Sequence, residues 1–138
     1  YLETFDNAPW VSGSGSNNTG DAISSCWSRT PTNTSNYRWG TRTGSTTSGS
    51  TGPASAFGGS GNYMYTESSS SSPTKAEFQS PEFDLSSIAV PQLTFQYHMY
   101  GTAMGTLSVW AWNGTAYDTV WTQSGNQGQS WKEVTVDL

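Results

Sequence analysis

The sequence predicts an all-β fold, a single antiparallel β-sandwich over residues 1–138, and three observations carry that expectation. First, helical periodicity is missing: no window keeps apolar residues at i, i+3, i+4 and i+7 without Gly, Pro or clustered Ser/Thr interrupting it. Second, short alternating segments recur along the chain between Gly/Ser/Asn/Pro turns, the spacing of a sandwich or barrel. Third, only 33% of the 138 residues are hydrophobic, yet seven Trp, seven Tyr and five Phe are spread among them. Each ring buries a large area. A small core of large rings inside a polar, turn-rich shell suits packed sheets.

The elements follow in order. Residues 2–5 read as an opening strand, residues 22–29 with Trp27 as a second, and residues 37–41 around Trp39 as a third. Residues 62–67 set Tyr63 and Tyr65 against Met64, a strand with both faces covered. Residues 75–79 alternate Ala76 and Phe78 until Ser80-Pro81 ends the run. Residues 92–100 and 106–112 are the strongest strands, and residues 117–123 and 132–138 complete the set. The low-complexity stretches 12–20 and 68–73 read as loops. Residues 44–61 form the longest irregular segment, beyond the roughly 12–15 residues of ordinary loops, which marks a functional or poorly ordered loop.

Composition excludes several classes of function. The net charge of −5 and the scarcity of Lys, present only at Lys75 and Lys132, argue against nucleic acid and anionic membranes as partners. No apolar run approaches the roughly 20 residues that span a bilayer. The chain opens at Tyr1 without an initiator Met, so a processed or excised segment of a secreted protein is expected. Cys26 is the only cysteine, which leaves two readings: a small buried hydrophobe, or half of a disulfide with a partner outside this segment. Glycosylation sequons stand at Asn17, Asn33 and Asn113.

Several motifs occur together and in order. Thr51-Gly52-Pro53 is followed by Gly61-Asn62-Tyr63-Met64-Tyr65-Thr66-Glu67-Ser68, then Phe78-Gln79-Ser80-Pro81. Leu93-Thr94-Phe95-Gln96-Tyr97-His98-Met99-Tyr100-Gly101 leads to Gly105-Thr106-Leu107-Ser108-Val109 and then to the glutamine-glycine turn between Trp121 and Trp131. Glu3-Thr4-Phe5-Asp6 and Cys26-Trp27 stand at the front. In this order the motifs resemble the MAM domain family over nearly the whole chain. That resemblance implies a jelly-roll-like sandwich and a non-catalytic, extracellular adhesion or recognition module of a larger protein. The paired cysteines of animal members are absent, as in a bacterial-type, disulfide-poor variant. Two further C-terminal strands of the family pattern are also missing, so a truncated module or intermolecular strand completion by another chain is expected. The resemblance further implies a structural Ca²⁺ or Na⁺ near the first strand, with Asp6 as first candidate ligand and Glu67 as second. Against a metal role, either carboxylate is also readable as simply solvated. Arg38 stands where many members have an acidic or amide group.

Catalytic chemistry finds no footing. His98 is the only histidine and its strand setting favours packing or hydrogen bonding; one His and one Cys cannot supply a zinc site. No nucleophile elbow or phosphate loop occurs, and no carboxylate pair is marked out for glycoside hydrolysis. The best candidate surface is the hairpin around Asn113-Gly114, a strong turn signal. Leu107, Val109 and Ala111 share one face of its first strand, whereas Trp110 and Trp112 share the other, with Cα atoms about 7 Å apart. A two-residue loop sets Tyr117 beside Trp110; a three-residue loop turns it inward and replaces it with Asp118. Trp110, Trp112 and Tyr117 then either stack sugar rings or pack beneath a neighbouring segment. Three functions follow from these readings: adhesion to other protein chains, binding of an extracellular glycan, or assembly into a filament by strand addition.

Overall fold

The computed structural model describes residues 1–15, 18–32, 37–68 and 75–138. The sequons at Asn17 and Asn33, and parts of the two low-complexity stretches, lie outside the described residues. The fold is all-β, with eight strands among the described residues: β1 (Ser28–Thr30), β2 (Gly40–Thr43), β3 (Asn62–Tyr65), β4 (Glu77–Gln79), β5 (Gln92–Tyr97), β6 (Thr106–Trp112), β7 (Tyr117–Ser124) and β8 (Lys132–Asp137). A single 3-10 turn at Phe57–Gly59 is the only helical element among the described residues. Every pairing is antiparallel: β1 with β4, β2 with β3, β5 with β8 and β6 with β7.

The chain divides into two compact units. The first comprises Tyr1–Gly49 and Ala54–Glu82. Its apolar centre is a knot of rings: Phe5 meets Trp10 edge-on at 5.0 Å, Trp27 stacks on Phe78 at 4.7 Å, and the indole of Trp39 donates to Ala76 O. β2 and β3 bury Tyr63 and Tyr65, as the covered-strand reading requires.

Residues 2–5 form no strand. Leu2 is 83% exposed, and Phe5 takes a left-handed backbone (φ 64°) while its N–H donates to the Glu3 carboxylate. That local turn drops the Phe5 ring onto Trp10 and Trp27, a larger gain than an extended edge would bring. The second expected strand shrinks to β1, because Trp27 N–H and Cys26 N–H turn back to Ser24. The third starts only at Gly40, since Arg38 is turned inward to meet Asp21. Residues 44–61 are anchored at several points rather than trailing free: Tyr63 donates to Gly44 O and Thr43 to Gly61 O.

The second unit comprises Ser50–Pro53 and Phe83–Leu138. Here the strands lie close to their expected bounds. Thr51 Oγ1 and Gly52 N–H both donate to Tyr100 O, which fastens the Thr51-Gly52-Pro53 segment beyond the end of β5. Between the β5–β8 and β6–β7 pairs lies a second aromatic cluster, in which Trp121 meets Phe95 at 5.3 Å and Tyr97 at 5.1 Å.

Candidate recognition surface

β6 alternates as its sequence dictates. Leu107, Val109 and Ala111 are half-buried, and Thr106, Ser108, Trp110 and Trp112 are exposed. The hairpin turn is wider than either loop length considered above. Trp112 pairs with Tyr117, leaving residues 113–116 in the turn. Asn113 explains the width: its side-chain oxygen accepts from both Thr115 N–H (2.8 Å) and Ala116 N–H (2.9 Å), and its own N–H donates to Ala116 O. This Asx geometry holds a longer turn closed.

A β-bulge then resets the partner strand. Val109 pairs with Trp121 but Trp110 pairs with Thr119, so Val120 is the extra residue. A regular β7 would place Val120 and Asp118 opposite Trp110 and Trp112, with Tyr117 on the other face. The bulge instead brings Thr119 and Tyr117 to the tryptophan face while Trp121 points to the Phe95–Tyr97 cluster. The expectation that Tyr117 falls beside Trp110 or turns inward is therefore corrected. Tyr117 stands beside Trp112, their ring centroids 5.2 Å apart at 64°. Trp110, Trp112 and Tyr117 are 44%, 58% and 55% exposed, so all three face solvent.

The first unit holds a feature that sequence reasoning missed. The Asp21 carboxylate, 1% exposed in its side chain, is gripped by Arg29 and by Arg38 (2.6 Å), and Thr41 N–H donates to it at 3.1 Å. Arg38, also 1% exposed in its side chain, reaches Asn18 O as well. Burial works against the charged carboxyl, but the hydrogen bonds from Arg29, Arg38 and Thr41 outweigh it and hold the Asp21 pKa below its ordinary value. The one available signal was that two of the three arginines adjoin or nearly adjoin tryptophans, at Arg29 and Arg38. Their distant partner Asp21 carries no local mark. The cluster reads as structural, because the Asp21 and Arg38 side chains are each 1% exposed and the carboxylate accepts from Arg29, Arg38 and Thr41.

The remaining candidates are dispersed. Asp6 accepts from Asn62 N–H at 2.6 Å, whereas the Glu67 carboxylate accepts from the hydroxyls of Ser48 and Tyr65. Ca²⁺ takes six to eight oxygens. Among the described residues no three His, Cys, Asp or Glu side chains gather as a metal site. His98 packs its ring edge-on against Trp131 at 5.4 Å, and neither ring nitrogen has a protein partner among the described residues. Cys26 is exposed, which corrects its reading as a buried hydrophobe: the turn at Ser24 directs Trp27 inward and leaves the thiol outside.

The geometry describes two all-β units, the second with an aromatic outer face on its β6–β7 hairpin, and comparison with known proteins supplies the family. The sequence matches the model of the MAM domain, meprin/A5/mu, over residues 18–138. The chain belongs to the MAM family. It is similar to neuropilin-1 of Xenopus laevis, 38% identical over 91 residues that cover 64% of this chain and 10% of that protein. Neuropilin-1a of Danio rerio is 35% identical over 105 residues, 72% of this chain and 11% of its own. MAM domain-containing glycosylphosphatidylinositol anchor protein 2 of Mus musculus is 34% identical over 102 residues, 64% of this chain and 11% of its own. This MAM chain spans about a tenth of the length of these relatives. No solved structure matches it. MAM membership accounts for the fold class, an antiparallel β-sandwich. The match covers the strands that carry the aromatic face as well as the Asp21 cluster. No helix among the described residues is long and apolar enough to cross a membrane.

Proposed function

We propose that this chain is a non-catalytic adhesion or recognition module of a larger extracellular or cell-surface protein, and that it contacts its partner through the outer face of the β6–β7 hairpin. One observation carries the reading: Trp110, Trp112 and Tyr117 stand exposed on a single sheet face whose reverse side is fixed by Trp121. Aromatic side chains offer large contact area at low conformational cost, because they have only two rotatable side-chain bonds. Holding them on a strand pair rather than a loop removes most of the remaining ordering penalty. Family membership supports the extracellular setting, and one relative is by name a glycosylphosphatidylinositol anchor protein, of which this chain matches 11%.

The test is an adhesion assay with beads carrying the native chain or the Trp112→Ser/Tyr117→Ser variant. The beads are offered surfaces coated with matrix proteins, with glycans, or with the chain itself. Retention of native beads on one of these surfaces, lost in the variant, is the expected result. Equal retention of both kinds of bead on every surface overturns the assignment of this face.

A further inference from the structure

We infer that the β6–β7 outer face binds a neutral glycan, a short run of uncharged pyranose rings lying along β6. The inference rests on the recognition reading and names the chemical class of its ligand. Three features of the face lead to it.

The first is the arrangement of the rings. Trp112 and Tyr117 meet at 64° with centroids 5.2 Å apart, so they form a corner rather than a flat plate. A corner of this kind takes one pyranose ring by its C–H face on one aromatic and by its edge on the other. Trp110 lies two residues along the same strand, about 7 Å away at the backbone, and offers a platform for a second ring.

The second is a ladder of hydroxyls continuing from the aromatic end. Ser108 faces Thr122 at 3.2 Å, Thr106 faces Ser124 at 2.8 Å, and Thr119 stands opposite Trp110. Each hydroxyl both donates and accepts, as each sugar hydroxyl does, so the ladder can follow a glycan in either hydrogen-bond polarity. A protein-docking surface calls instead for a broad apolar centre with a polar rim. Here the apolar part is three side chains wide and is bordered by hydroxyls.

The third is charge. Neither β6 nor β7 contains a Lys or Arg, and the whole chain is −5. The one carboxylate of the hairpin, Asp118, is held by the Asn113 side-chain amide at 2.8 Å. Sulfated or uronate glycans would find no cation here, whereas neutral sugars need none.

The test is affinity electrophoresis of the native chain through gels containing neutral polysaccharides (mixed-linkage β-glucan, xylan, galactomannan) or anionic ones (polygalacturonate, heparin). Trp112→Ala and Tyr117→Ala are run alongside, with circular dichroism to verify folding. Both side chains are more than half exposed, so two independent variants guard against a folding artefact. The expected result is retardation by at least one neutral polysaccharide, at least a tenfold loss of affinity in each variant, and free migration in anionic gels. Free migration in every neutral gel overturns the proposal, as does retardation that both variants retain or that only the anionic gels produce. The bead assay separates the two readings. If native beads hold to a protein surface and the variant does not, while every neutral gel is negative, the recognition face stands and the glycan assignment falls.

Discussion

Asp21→Asn removes one charge from an enclosed polar cluster and leaves its shape nearly unchanged. Asp21 and Arg38 are each 1% exposed in their side chains, and Arg29 is 13% exposed. The asparagine oxygen can still accept one or two of the present bonds, but its amide group must then face a guanidinium. Hydrogen bonds to charged groups contribute about 1.5–3 kcal/mol each. Breaking a buried pair from one side costs about 3–5 kcal/mol, because the surviving charge is left uncompensated. With a total stability of about 5–15 kcal/mol for a native protein, that loss is about a fifth or more of the whole. At about 3 °C per kcal/mol for a chain of this size, Tm should fall by about 10–15 °C.

Urea unfolding followed by tryptophan fluorescence reads the change directly. The carboxyl pKa is depressed in the folded state, so its contribution is complete above the ordinary value of 3.8 and is lost as pH falls through the lower folded value. Asp21→Asn should therefore flatten the acid limb of the stability profile as well as lower it at neutral pH. A Lys75→Ala control removes the exposed Lys75–Glu77 pair, whose side chains are 60% and 47% exposed, and should change stability by no more than about 0.5 kcal/mol. A loss below about 1 kcal/mol for Asp21→Asn, or an unchanged acid limb, would refute the view that a buried charge is being balanced.

Three further outcomes are expected. Gly13→Ala should cost about 1–3 kcal/mol, because its new Cβ would lie 2.4 Å from the backbone oxygen of buried Asn18, whereas Gly49→Ala meets open space and should be neutral; comparable urea midpoints for the two would contradict the close approach. Deleting Val120 should heal the β6–β7 ladder and cost only its half-buried side chain, about 1 kcal/mol, while deleting Thr122 puts Trp121 out of phase and should cost about 3 kcal/mol; equal losses would dismiss the bulge as the source of phase. Calcium at 1 mM should leave Tm unchanged, since no three His, Cys, Asp or Glu side chains gather among the described residues; a calcium-dependent rise in differential scanning fluorimetry, lost in Asp6→Asn or Glu67→Gln, would identify those carboxylates as ligands.

How much of this was legible in the sequence depended on whether the cause was local. β5, β6, β7 and β8 appear close to their expected bounds because their alternation is strong and each inward side chain finds a partner on the neighbouring strand. The front of the chain resisted the same reading. Alternation around Phe5, Trp27 and Trp39 looks like three strands, but the rings converge on one knot, and turns serve that convergence better than extended backbone. The Asp21 cluster was invisible for a related reason: its arginines lie 8 and 17 residues away, with no periodicity to connect them. A charge that will be buried looks in sequence like any solvated charge.

The hairpin shows where period-two reasoning succeeds and where it stops. Trp110 and Trp112 were placed on the outer face by alternation alone, and their exposure agrees. Tyr117 was not, because its position depends on two one-residue decisions that composition leaves open: the length of the turn and the regularity of the returning strand. Asn113 settles the first by accepting two backbone N–H groups, and Val120 settles the second by dropping out of the ladder. Without the bulge, a strand that set Trp121 inward would also turn Tyr117 inward. With it, one eight-residue strand supplies a core ring at Trp121 and a surface ring at Tyr117. The irregularity thus lets a single hairpin serve packing on one side and present the proposed recognition face on the other.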